Sequence, residues 1–236
     1  MRRPSLTYAV QLARRLHEEG QFQVFTRKFQ YVAVYTENNK TGALVPQKIA
    51  VANEQTVDPA PYLHAEILKR RAIKIRFVAV DLPEGVRNSV PTLAVMEGPD
   101  RAVVLFQRNA RYCIRRFGRV KELIHLYDDG FVTSDTSGTA LSEAISAAMR
   151  LSTPTLLQAS NPLHPEHFCY YCALELLLWW GKPSGDIRKR LTDMHEAKTP
   201  EYIMACSFRV PLSVIQRFFD CGQYVQISYQ LNTTQV

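Results

Sequence analysis

Apolar residues recur at helical spacing near both ends of this chain and at strand spacing in between. Leu6, Ala9, Val10, Ala13 and Leu16 form one stripe of a helix predicted from Ser5 to about residue 19, with Ser5 as its cap and Gly20 as its stop. Residues 30–35 (QYVAVY) read as a strand, residues 38–42 as a turn, and the stretch up to Pro61 as irregular chain. A second helix is predicted over residues 60–72. Three short β runs follow at 73–80, 91–97 and 101–107, the last two joined by the turn signal Gly98-Pro99-Asp100. Helical patterns then cover 110–127, 141–151, 162–180, 185–196, 200–207 and 211–219. The tail, 223–236, contains YVQISYQL and predicts one further strand. No internal repeat or low-complexity tract interrupts this order.

Composition narrows the class. The 236 residues are 46% hydrophobic and 22% charged, which is ordinary for a globular chain with a real core. No window approaches eighteen uninterrupted apolar residues, so no membrane span is expected. The first helix carries Gln11, Arg14 and Arg15, which a secretory or twin-arginine signal would not tolerate in its apolar core. Five cysteines without framework spacing imply a reduced, cytoplasmic protein. The net charge of +7 permits an acidic partner. Its densest source is Arg108, Arg111, Arg115, Arg116, Arg119 and Lys121, which read as the solvated side of one helix or as a nucleic-acid-binding face.

The segment Arg119-Val120-Lys121-Glu122-Leu123-Ile124-His125 carries the most chemistry. It has the form of the H-E-x-x-H zinc helix, in which two histidines four apart share a face and the glutamate acts as general base on metal-bound water. Glu122 and His125 hold the base and second-ligand positions. Lys121 holds the first, and a protonated lysine has no lone pair to give a metal. A second crowd of candidate ligands lies in His164, Glu166, His167, Cys169 and Cys172. His164, Phe168 and Cys172 are four apart, so His164 and Cys172 share a helical face that could flank His125. The same stretch also reads as a helix start, with Pro165 in the first turn and Glu166 favoured by the dipole. His64-Ala65-Glu66 with Cys169-x-x-Cys172 lacks the spacing and the proline of a zinc deaminase. Glu175, alone among leucines, belongs on an outer face or beside a base of the arginine-rich helix.

The order of parts resembles the ImmA/IrrE family of metallopeptidase-like proteins. A small meander is followed by the K-E-x-x-H helix. Next comes the apolar helix Cys172-Ala173-Leu174-Glu175-Leu176-Leu177-Leu178-Trp179, and then Ile203-Met204-Ala205-Cys206-Ser207-Phe208-Arg209-Val210-Pro211-Leu212-Ser213. The resemblance covers about residues 60–222. It implies an α+β fold with a small sheet packed on a zincin-like helix and a mostly helical C-terminal half. It divides the chain into an N-terminal segment of unassigned role (1–57), the metallopeptidase-like domain (58–222) and a tail or edge strand (223–236). It also places the family's third, acidic ligand about one turn before the 173–179 pattern, at Phe168, which cannot bind zinc.

Two of three ligands are then missing while Glu122 remains. The resulting expectation is a catalytically degenerate protein of regulatory type that binds a protein partner in the former substrate groove, without a cofactor. One alternative is an active zinc metallopeptidase with an altered ligand set drawn from His125, His164, His167 and Cys172, with Glu122 as its catalytic base. The other is a nucleic-acid-binding module using the basic helix face.

Overall fold

In the computed structural model, residues 5–20, 22–25, 30–37, 44–51, 56–81, 92–128, 165–178, 187–222, 224 and 226–227 are described. Ser5 starts α1 (Leu6–Glu19) as the pattern predicts. Its hydroxyl accepts from the Tyr8 amide at 3.1 Å, and Gly20 closes the helix onto the Leu16 carbonyl. Leu6, Ala9, Val10, Leu12, Ala13 and Leu16 are all buried.

The stretch up to Pro61, predicted irregular, contains two strands, and a further short strand precedes the one predicted from residue 30. β2 (Gln30–Glu37) and β3 (Leu44–Val51) form an antiparallel hairpin, and β1 (Gln23–Phe25) pairs with β4 (Thr56–Asp58). The prolines of this stretch, Pro46 among them, make it read as irregular chain, but each strand of a two-stranded ribbon has one unpaired edge where a proline costs no ladder bond. The turn expected at 38–42 lies outside the described residues.

The second sheet has the order β5-β7-β6, formed by β5 (Lys74–Val80), β6 (Thr92–Gly98) and β7 (Arg101–Gln107). β6 and β7 are the predicted hairpin, with a register shift between Met96 and Gly98, while β5 runs parallel to β7. The connection from β5 to β6 passes through residues that are not described. α2 (Ala60–Arg71) and α3 (Tyr112–Tyr127) cover one face of this sheet.

Behind α3 lies α4 (Pro165–Leu177), and behind α4 lies α1. Thus α1, part of the segment given no role, contributes to the same core as Leu123, Ile124, Leu174 and Leu177. Three shorter helices follow: α5 (Ile187–Glu196), α6 (Glu201–Phe208) and α7 (Leu212–Asp220). The helix expected at 141–151 lies outside the described residues. Gly222, Tyr224, Gln226 and Ile227 are helical where alternation predicted a strand. Tyr224 explains the change: it is fully buried, and its hydroxyl donates to the Glu175 carboxylate at 2.5 Å. Glu175 is therefore not on an outer face but sits in the core against this phenol.

The architecture is mixed α+β, with a three-stranded sheet and seven helices among the described residues. None of the described helices is long and apolar enough to cross a membrane.

Candidate functional site

α3 meets β6 at Gly118. A Cβ there would lie 2.3 Å from Thr92 Cγ2, so only glycine permits this approach without displacement. One turn on, Glu122 profits from the short distance. One of its oxygens accepts from Thr92 Oγ1 at 3.1 Å and the other from the Ala94 amide at 2.9 Å. The acceptor of the edge-strand amide is thus the protein's own glutamate, which is 1% exposed.

Lys121 stands at the centre of the site. Its Nζ lies 2.9 Å from Glu122 Oε1 and 2.5 Å from Glu166 Oε2. His125 Nε2 lies 3.0 Å from Glu166 Oε1. One carboxylate from α3 and one from α4 therefore meet a single ammonium group, and His125 holds the second oxygen of the α4 carboxylate. Burial disfavours the charged form of Lys121, but Glu122 and Glu166 outweigh it and hold the ammonium well above the ordinary lysine value. Burial likewise disfavours ionised Glu166, and Lys121 followed by His125 overcomes it, holding the carboxyl far below the ordinary range. Lys121 and Glu166 thus each favour the charged form of the other.

The carboxylate that α4 brings to the site is Glu166, two residues before Phe168, the position to which the resemblance assigns the acidic ligand. Two residues turn a helix by about 200°, so the two side chains face opposite ways. Phe168 is fully buried and stacks on Tyr8 of α1, ring centroids 5.3 Å apart. The helix-start pattern of Pro165 and Glu166 was the available signal, but it describes a local preference and not a tertiary partner.

The remaining candidates are placed differently. His167 is half-buried, and His164 lies outside the described residues. Cys172 is buried with Glu175 and Asp128 as its nearest charges, and burial first, then those carboxylates, push its thiol up. Cys169 is the thiol nearest the ammonium site. Burial, then Glu166, raise it well above the ordinary range, so it remains a neutral packing group. Among the described residues, no three His, Cys, Asp or Glu side chains are arranged to hold a metal ion. Glu122 and Glu166 hold Lys121 Nζ instead, with His125 on the far oxygen of Glu166.

The basic cluster is also divided by the fold. Arg108, Arg111, Arg115 and Arg119 are exposed, but Lys121 is in the site and Arg116 is buried. Arg116 donates to the carbonyls of Phe208 at 3.1 Å, Arg209 at 3.0 Å and Val57 at 2.5 Å, tying α3 to the end of α6 and to β4. Burial lowers it to about 10, only partly opposed by Tyr112 and Asp58.

No family model matches the chain, and no curated protein or solved structure is similar to it.

Proposed function

We propose that this chain is a metallopeptidase-like protein in which an internal ammonium replaces the catalytic metal, and that it acts by binding a protein partner instead of cutting one. The observation that carries this reading is the position of Lys121 Nζ, between Glu122 and Glu166, with His125 on the same carboxylate. In a zincin these four positions supply the two histidines, the acidic ligand and the base. Glu122 is taken by Thr92, Ala94 and Lys121, which leaves it unsuited to accept a proton from water. The zincin-like packing of the sheet on α3 rests on the same resemblance.

Lys121→His tests it. With Glu166 already in the third position, one substitution completes a two-histidine, one-glutamate set. Calorimetry at neutral pH should show about one zinc bound by the folded variant and none by the parent. A folded variant that takes no zinc would remove the ligand analogy. A parent purified with about one chelatable zinc, whose removal lowers its melting temperature, would favour the active-enzyme reading.

A further inference from the structure

The N-terminal half of α3 stands over the sheet and leaves a cleft of about 350 Å³. Its apolar wall is Phe77, Val104 and Phe106, one row from each of two neighbouring strands. Arg115 and Arg119, four apart on α3, share the opposite wall. The Arg119 guanidinium is stacked on Phe77, its Cζ 4.4 Å from the ring centroid. Stacking fixes the plane of the guanidinium and leaves its N–H edge for an acceptor.

Arg116 lines the same cleft and is 6% exposed. Its three donated bonds all go to neutral carbonyls. A guanidinium has five N–H groups, so two remain without an acceptor among the described residues. Asp58 is the acidic residue of the lining, and one of its oxygens already accepts from the Ala60 amide at 3.1 Å. Three guanidinium groups thus face one carboxylate. They also gather at the end of α3 where the helix dipole disfavours cations, with no acidic residue in the first turn. Tyr112, 56% exposed, forms an aromatic lip.

We propose that this cleft binds a small organic anion, a carboxylate or phosphate carried on a flat apolar body. The anion sits at Arg115 and Arg119 with Arg116 behind it, and the body lies between Phe77, Phe106 and Tyr112. The site is separate from the Lys121 cluster and stands whether or not that cluster descends from a metal centre.

The test uses the full chain with 2-naphthoate, 2-naphthyl phosphate, 2-naphthylmethanol and acetate, followed by calorimetry. Either naphthyl anion should bind at least about tenfold more tightly than the alcohol or acetate, since each lacks one of the two recognised features. Arg115→Gln with Arg119→Gln should weaken the preferred anion by about tenfold or more. Arg76→Gln, a substitution of an exposed residue paired with Glu97, should leave binding unchanged. The melting temperature of each variant is recorded alongside. Equal binding of alcohol and anion overturns the proposal, as does unchanged anion binding by a folded Arg115/Arg119 double variant. The absence of any naphthyl-anion binding by the parent overturns it too.

Discussion

The two halves of α3 carry the same kinds of side chain and use them in opposite ways. In the C-terminal half, Lys121 is buried between Glu122 and Glu166, and the charges satisfy one another. In the N-terminal half, Arg115 and Arg119 are exposed beside a cleft, and buried Arg116 has only carbonyls to donate to. Thr92 borders both, lining the cleft while donating to Glu122. The contrast separates charge used to hold elements together from charge left for something outside the chain. Removing a member of the first group should damage the fold. Removing Arg115 or Arg119 should damage only recognition, whereas Arg116 also ties α3 to α6 and β4.

Lys121→Met should give the largest loss. Truncating one partner of a buried ion cluster typically costs about 3–5 kcal/mol, measured here by urea unfolding at pH 7. The pH dependence identifies the cause. In the parent, Glu166 is depressed below its ordinary 4.5, so its stabilisation is present above that pH and fades as pH falls further. Without the ammonium, the Glu166 carboxyl loses the main charge that holds it down while its burial remains, so its folded-state value should rise. Stability of the variant is then favoured where Glu166 is protonated, so its deficit against the parent should shrink from pH 7 to pH 5. A deficit that stays constant would show a packing defect and not an electrostatic one.

Leu123→Ala, one residue past the cluster and fully buried, should cost about 2–5 kcal/mol by ordinary core truncation. A loss below about 0.5 kcal/mol would mean that α3 is a surface element, and both sites would lose their frame.

Gly118→Ala forces α3 away from Thr92, with an expected cost of about 1–3 kcal/mol. The readout that links it to the cluster is hydrogen exchange at the Ala94 amide, which donates to Glu122 in the parent. That amide should exchange faster in the variant. Unchanged protection would show that Glu122 follows the strand without help from Gly118.

His17 is a half-buried group whose burial disfavours its charged form. Burial lowers it to about 3, only partly opposed by its contact with the Leu176 carbonyl, 3.0 Å from Nε2. Its contribution is complete above 6.5 and is lost as pH falls toward 3, by up to about 1.4 kcal/mol per pH unit. His17→Gln should therefore flatten the stability curve between pH 6.5 and 5. The same acid loss in variant and parent would assign it elsewhere.

Arg115→Gln and Arg119→Gln should give the smallest change, within about 0.5 kcal/mol each. A larger destabilisation would place these arginines in the structural group and end the contrast between the two halves of α3.

The periodic patterns were legible in the chain. Ser5 and Gly20 bound α1, the three β runs became one sheet, and α3 fell where its stripe predicted. Pro46 misled because a proline's cost depends on which edge of a strand it occupies, and sequence does not say which edge is free. Tyr224 misled because alternation over a few residues cannot distinguish a strand from a short helix whose aromatic residue is drawn into the core.

The site divided in the same way. Local spacing placed Lys121 and Glu122 on the helical face of His125 and singled out Lys121 as foreign to a metal motif, because i, i+3 and i, i+4 geometry is a property of the helix alone. It could not choose between Phe168 and Glu166, since that choice is the rotation of α4 about its axis, set by packing against α1 on one side and α3 on the other. Nor could it separate Arg116 and Lys121 from the exposed arginines beside them. Sequence therefore determined which charges the molecule carries and which share a face. Only the tertiary structure decided which are neutralised, because burial and counter-charge come from segments as much as 93 residues away, and a charge's free energy depends on those surroundings more than on its own identity.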